Sequence, residues 1–503
     1  MNINRRLGIS VASVAVAGLA LTGCGTGGGG GASVADSKAI TWMTVVHTPT
    51  TPEKNSPIET ALEEATGFDV DFTWIPAASS TEKLASALAS NSLADVVTLN
   101  SITSSPIRKA LSNGQFWEVS EYLDDYPNLS KIDEQTRADA SIDGQLYGVP
   151  MLKYKARYGV LVRQDWLDNL GLEVPHTLED LADVARAFTN DDPDGNGNDD
   201  TTGFIDRQES FGVGLRSLSG YFGAGSVFEL DGNNEMVASF TTDAFKEAME
   251  WYRGLYNEGA VNQEFVTLQK QNQYDAIAQS KGGIVVTGLF EAKGFMSLSE
   301  SADPNTTMEW ALVDDMTYGD VPRRILTDTA GGIGGWYAMP KSEVKDEEEL
   351  RSVLDFLDKM SSEEVFGIMT NGIEGEHFEY DADGAVSVID QNVWDREVQP
   401  FLSSRMSDVT LTYPSNSPYQ NEAEEKMAAQ VDYAITNPAQ SLTSATFDSR
   451  WNEVNTAIGD AYTKYMVGQY EMEDYEAAIE KERAGDLGKI EAEFTAAYNE
   501  ING

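Results

Sequence analysis

Cysteine is almost absent: there is one, Cys24, in 503 residues. A lone thiol excludes an intramolecular disulfide and any metal cluster built on cysteine. Histidine is nearly as scarce. His47, His176 and His377 lie far apart in sequence, with no HExxH spacing of a zinc hydrolase among them. Basic residues are few: Lys plus Arg is 35 against 82 for Asp plus Glu, a formal charge of −47. So acidic a chain repels nucleic acid and anionic headgroups unless a local basic patch intervenes, and no nucleic-acid partner is expected. Long apolar runs are missing as well. The one candidate, residues 7–21, is shorter than the roughly 20 residues a spanning helix needs. There is no P-loop and no GxSxG elbow. What remains is 41% hydrophobic and 10% aromatic, enough for a sizeable core. The length points to two large lobes or about three domains.

The N-terminal segment has its own logic. Arg5 and Arg6 precede the apolar run, and the run ends in Leu21-Thr22-Gly23-Cys24. A charged start and apolar middle read as a secretory signal. The tetrapeptide resembles the lipobox of bacterial lipoproteins, which implies cleavage before Cys24 and diacylglycerol on its sulfur. A plain signal peptide with a chance cysteine is the alternative. The segment 1–23 would then be removed, and the glycine-rich stretch 24–35 would act as a flexible tether.

After the tether, strands and helices alternate. Residues 40–46, 68–74 and 94–99 read as strands, and 56–65 and 81–89 as helices between them. This spacing predicts parallel βαβ units. Ligands of such sheets bind beyond the carboxyl ends of the strands, which puts His47, the segment after Trp74, and Asn100 on one rim. Further on, 243–258 reads as an amphipathic helix, 283–287 and 335–339 as short strands, and the last hundred residues as mostly helical.

One motif carries specific chemistry. Residues 189–203 read TNDDPDGNGNDDTTG. Oxygen-bearing residues alternate with turn residues over Asp192, Asp194, Asn196, Asn198 and Asp200, the donor set a hard cation such as Ca²⁺ takes. The first nine positions follow an EF-hand loop, with Gly197 at position six and the Asn198 carbonyl at position seven. Position twelve, where that loop has a bidentate Glu, is Gly203. The expectation is a structural Ca²⁺ site that begins like an EF-hand and ends differently, against a plain polar surface loop.

The stretch 166–175, then Thr177-Leu178-Glu179-Asp180-Leu181, then this loop, resembles extracellular solute-binding proteins of family 1, which serve bacterial ABC importers. Upstream, Asp143-Gly144-Gln145-Leu146-Tyr147-Gly148-Val149-Pro150 is similar to that family's segment at the first crossing between lobes. The loop itself is similar to the calcium site of the alginate-binding members. There the residue after the fifth position is an acid, and here it is Thr201; a water or Asp191 would have to substitute. The resemblance implies an α/β, two-lobed fold of the periplasmic-binding-protein type (type II), with discontinuous lobes on a hinge. One lobe would hold 36–148 and 318–392, the other 149–317 and 393–503. It also implies a lipid-anchored monomer on the outer face of the membrane. That monomer would capture an oligosaccharide by closure and pass it unaltered to permease subunits driven by a cytoplasmic ATPase.

Sugar rings stack on aromatic side chains while polar groups take their hydroxyls. The candidates are Trp74, Tyr154, Tyr158, Phe290, Trp310, Trp336, Tyr337 and Tyr413, with His47 and Asn100 for hydroxyls. Each has core packing or an ordinary loop role as its competing reading. Glycines 331, 332, 334 and 335 before Trp336 allow close backbone approach. Lys153, Lys155, Arg157 and Arg163 form a modest basic cluster, but the net charge favours a neutral sugar. The rival classes are a secreted carbohydrate-active enzyme, a structural lipoprotein or adhesin, and a lipoprotein for a non-sugar solute such as a peptide.

Overall fold

The computed structural model describes residues 38–48, 51–100 and 104–502. Cys24 and the tether lie outside them. Two sheets, each with its own hydrophobic core, organise the chain. The first has five strands in the order Phe68–Pro76, Lys38–Val46, Val96–Leu99, Ile333–Ala338, Val149–Leu152. The first three run parallel, as the sequence predicts, and Ile333–Ala338 runs antiparallel to both its neighbours. The helix Pro57–Thr66 joins the first two strands. Ser56 caps it by accepting from the Glu59 N–H, and Gly67 ends it at φ 73°. Trp42, Val96, Leu99, Trp336, Leu354, Phe356 and Phe401 are among the residues of the first core.

The second sheet runs Trp310–Val313, Tyr158–Arg163, Gly282–Gly288, Thr202–Phe204. Its core joins the strands to the helices Leu178–Asn190, Asp243–Asn257 and Ala445–Met466. The stripe predicted on 243–258 is the one buried: Phe245, Ala248, Met249, Tyr252 and Leu255.

The chain passes between the cores three times, over residues 153–157, 327–332 and 407–422. The strand Val149–Leu152, placed by sequence in the second lobe, pairs within the first sheet. Val398, Phe401 and Met406 likewise join the first core, beyond the expected limit at 392. The crossings are tied to one another. Lys153 N–H donates to the Gly332 carbonyl at 2.8 Å, Asp408 N–H to the Leu152 carbonyl at 2.8 Å, and Thr329 Oγ1 to the carbonyls of Tyr154 and Lys155 at 3.0 and 2.9 Å. Two ion pairs add to this: Lys153 Nζ–Asp408 Oδ2 at 2.8 Å and Arg157 Nη2–Asp328 Oδ2 at 2.6 Å.

Candidate functional site

The carboxyl ends of parallel strands leave backbone groups unpaired and side chains open. In the first lobe these ends place His47 and Asn100, both exposed. In the second lobe they place Phe290, just past Gly282–Gly288, and Arg207, just past Thr202–Phe204, which is buried and donates to Glu209 at 3.0 Å and Gln273 at 2.6 Å. Phe290 is 42% exposed, with the Arg157 guanidinium 5.6 Å from its ring centroid. An uncovered phenylalanine beside a cation is unusual inside a fold and ordinary on the wall of a cleft. The two walls face each other. The His47 imidazole is held below its usual value, first by the surrounding protein and then by the ammonium groups of Lys270 and Lys153. Lys270 stands at the start of the second-lobe helix Lys270–Ala278, so the end of the first sheet looks across at that helix.

The predicted aromatics divide. Tyr154 and Tyr158 are half-buried at the first crossing, and Tyr413 is half-buried in the third, stacked on Phe366 at 6.0 Å. Trp74 is half-buried between Phe72 and Phe401, at 4.9 and 5.2 Å between centroids, and packs against the first core. Three candidates are corrected to core residues. Trp336 is 0% exposed and donates Nε1–H to the Ala140 carbonyl at 3.0 Å. Tyr337 is also fully buried and donates to the Arg405 carbonyl at 2.5 Å. Trp310 is buried in a smaller cluster with Phe295. The glycine run before Trp336 serves strand pairing. Gly335 has φ 145°, and a Cβ there would lie 2.0 Å from the Leu99 carbonyl oxygen.

Sequence reasoning passed over Lys270, Tyr274, Glu291, Arg216 and Asp328. Tyr274 hydrogen-bonds Glu291, and Glu291 pairs with Lys270 at 3.1 Å. The strand-end rule pointed to this wall, and the helix starts behind it carried no apolar pattern to mark them.

The oxygen-rich loop lies on the second lobe, between the helix Leu178–Asn190 and the strand Thr202–Phe204. Asp192, at φ 51°, accepts from the N–H groups of Asn196 and Gly197 at 3.0 Å each. Asn196 Nδ2 donates to Asp194 Oδ2 at 2.8 Å and to Asp200 Oδ1 at 3.1 Å. Two carboxylates therefore converge on one amide, and turning that amide over would place its oxygen between theirs. The set is all oxygen and fits a hard cation. Lys281 holds the other Asp200 oxygen at 2.8 Å and keeps that carboxyl below its usual range. Thr201 is turned inward, donating to the Phe188 carbonyl at 2.8 Å. No side chain fits at Gly203, where a Cβ would lie 2.6 Å from the Ala185 carbonyl oxygen. The departure from the EF-hand at position twelve thus has a packing cause. Glu376, His377 and Glu397 also cluster, but His377 Nδ1 accepts from the Ile373 N–H at 3.1 Å. That leaves Nε2–H to donate to Glu397, which makes the cluster a structural pair.

Comparison with known proteins agrees with this geometry. The model of the family described as bacterial extracellular solute-binding protein matches residues 47–365. The chain is 31% identical over 468 residues to the polygalacturonan/rhamnogalacturonan-binding protein YtcQ of Bacillus subtilis, with 92% of each chain covered. It is 29% identical over 477 residues to Lipoprotein LipO of the same organism, covering 92% of this chain and 93% of LipO. Its fold is similar to the crystal structure of alginate-binding protein AlgQ2 without calcium ion. The TM-score is 0.68 at 18% identity, over 93% of this chain and 99% of that one.

Proposed function

Since the chain belongs to the bacterial extracellular solute-binding proteins, we propose that it captures an oligosaccharide in the cleft between its two lobes and delivers it, unaltered, to the permease of an ABC importer. The observation that carries this reading is the pair of facing strand ends, the exposed His47 and Asn100 on one side and the exposed Phe290 on the other, across three tied crossings. The open Phe290 ring and the half-buried Tyr154 and Tyr158 offer faces for sugar C–H groups. Rotation about 153–157, 327–332 and 407–422 would bring both walls onto the ligand, and contact with both walls favours the closed form. The sugar polymers in the names of YtcQ and AlgQ2 support a saccharide ligand. The protein would act as a monomer docking on permease subunits served by a cytoplasmic ATPase.

We propose further that Asp192, Asp194, Asn196, the Asn198 carbonyl and Asp200 hold a structural Ca²⁺, with a water or Asp191 completing the shell. The ion would neutralise crowded carboxylates and pin the loop. One calorimetric experiment checks both sites. Chelator should lower the melting temperature and added Ca²⁺ restore it. A binding oligosaccharide should raise it further, by about 2.7 kcal/mol of stability at a hundredfold excess over Kd. Cleavage of the sugar during the assay would instead favour the enzyme reading, and indifference to chelator would remove the ion.

The anchor rests on the lipobox, with LipO's name in support. Cys24→Ala is expected to move the protein from the membrane fraction to the medium; unchanged retention would exclude the thioether.

A further inference from the structure

The lobes also meet outside the three crossings, through a buried charge. Arg108 lies in the first turn of the helix Ser105–Ser112, whose Ile107, Ala110 and Leu111 belong to the first core. Its side chain is 2% exposed, yet its acceptors are in the second lobe. Nε donates to Asp448 Oδ1 at 3.0 Å, and Nη2 to the Leu442 carbonyl at 2.5 Å. Leu442 belongs to the second core, and Asp448 stands in the first turn of the helix Ala445–Met466. The contact extends back toward the second crossing. Thr443 Oγ1 donates to Asp143 Oδ1 at 3.1 Å, and Gln440 Nε2 to the Asp139 carbonyl at 3.0 Å. A Cβ at Gly331, in that crossing, would lie 3.3 Å from Gln440 Nε2.

Each half of the contact is fixed to its own lobe. On the second lobe, Glu493 of the helix Asp486–Asn502 accepts from Ser444 Oγ at 2.6 Å and from the Thr446 N–H at 3.0 Å, which holds the start of Ala445–Met466. On the first, Ser105–Ser112 follows the strand Val96–Leu99 and so begins on the rim that carries Asn100. Gln440 is therefore near the pivot, and Arg108 is farther out on the cleft side. A rotation that parts the two walls parts Arg108 from Asp448.

The pair is suited to forming and releasing. Arg108 Nη1 is buried with no acceptor among the described residues. Burial raises the Asp448 carboxyl; Arg108 opposes this, and Asp143 and Glu493 add to it. The cost of desolvating both ions thus offsets much of their attraction, and separation would return both to water. We propose that Arg108 is a positioning residue for closure: its bonds to Asp448 and Leu442 latch the closed form, and opening releases them. Arg108 acts through the placement of the lobes and not through contact with the solute. This inference rests on the capture by closure proposed above.

The test reads the distance between lobes. Cys24→Ala removes the one thiol of the chain. Spin labels at Lys83→Cys and Gln271→Cys, exposed positions on one helix of each lobe, then report a single interlobe distance by electron double resonance on the mature chain. Arg108→Gln is expected to move the closed-to-open ratio about tenfold toward open, the loss of a charge-assisted hydrogen bond. Apparent sugar affinity should fall with the closed fraction. Asp448→Asn should open the chain too, and it keeps the test decisive if Arg108→Gln misfolds. Oligogalacturonates and neutral galacto-oligosaccharides are the closing probes, and one of them is expected to draw the opened variants shut. Parent distances in both folded variants would overturn the latch, and a lowered urea midpoint alongside them would make the pair a packing contact alone. Variants that open but are drawn shut by neither sugar would leave the latch standing and count against the solute-binding reading.

Discussion

Asp408→Asn is expected to destabilise the protein by about 3–5 kcal/mol, the cost of removing one partner from a buried ion pair. The Asp408 and Lys153 side chains are 16% and 12% exposed, so solvent screens little of the interaction. Asparagine would leave Lys153 and Arg405 facing each other at a crossing with no counter-charge. The pair is not symmetric. Burial alone would raise the Asp408 carboxyl, but Lys153 and Arg405 together hold it below its usual value. Burial and the neighbouring arginines hold the Lys153 ammonium low even though Asp408 opposes them. Two cations against one acid make the carboxylate the better stabilised member. Its depressed value fixes the sign of the pH effect. The contribution is present above the unfolded carboxylate's pKa of about 4 and is lost as pH falls through the folded value. Urea unfolding of wild type and variant should differ most near neutrality and converge in acid. A loss under about 1 kcal/mol at pH 7 would mean the pair is a surface-like contact.

Trp336→Ala should cost at least as much, about 3–5 kcal/mol for deleting a buried indole, and should do so without touching the ligand site. The ring is fully enclosed and lies 6.4 Å from Tyr147, and its Nε1–H satisfies the Ala140 carbonyl, itself buried. Alanine would open a cavity and orphan that carbonyl. The discriminating measurement pairs a urea midpoint with sugar affinity at low temperature, where the variant is still folded. Unchanged stability with weakened affinity would return Trp336 to the cleft wall.

Much of the first lobe was legible because its opening strands and helices carry local signals. Phe68–Pro76 alternates with period two, Gly67 stops the preceding helix, and the strand ends follow from both. The oxygen-rich loop was legible because its spacing is local too. What escaped depended on distant partners. Nothing between residues 333 and 338 reveals that this strand would enter antiparallel beside Val96–Leu99. The glycines there therefore pointed equally to a ligand and to the Leu99 backbone. The ties between the crossings were hidden for the same reason, since Asp328 and Asp408 meet Arg157 and Lys153 only after folding.

The threefold passage between cores also governs when folding can finish. The first core needs residues 333–406 as well as 40–151, and the second needs residues up to 494. A nascent chain therefore cannot complete either core until most of it has been synthesised. Such long-range closure is slow. The layout therefore imposes one late closure on both lobes: the first core waits for Met406 and the second for Phe494.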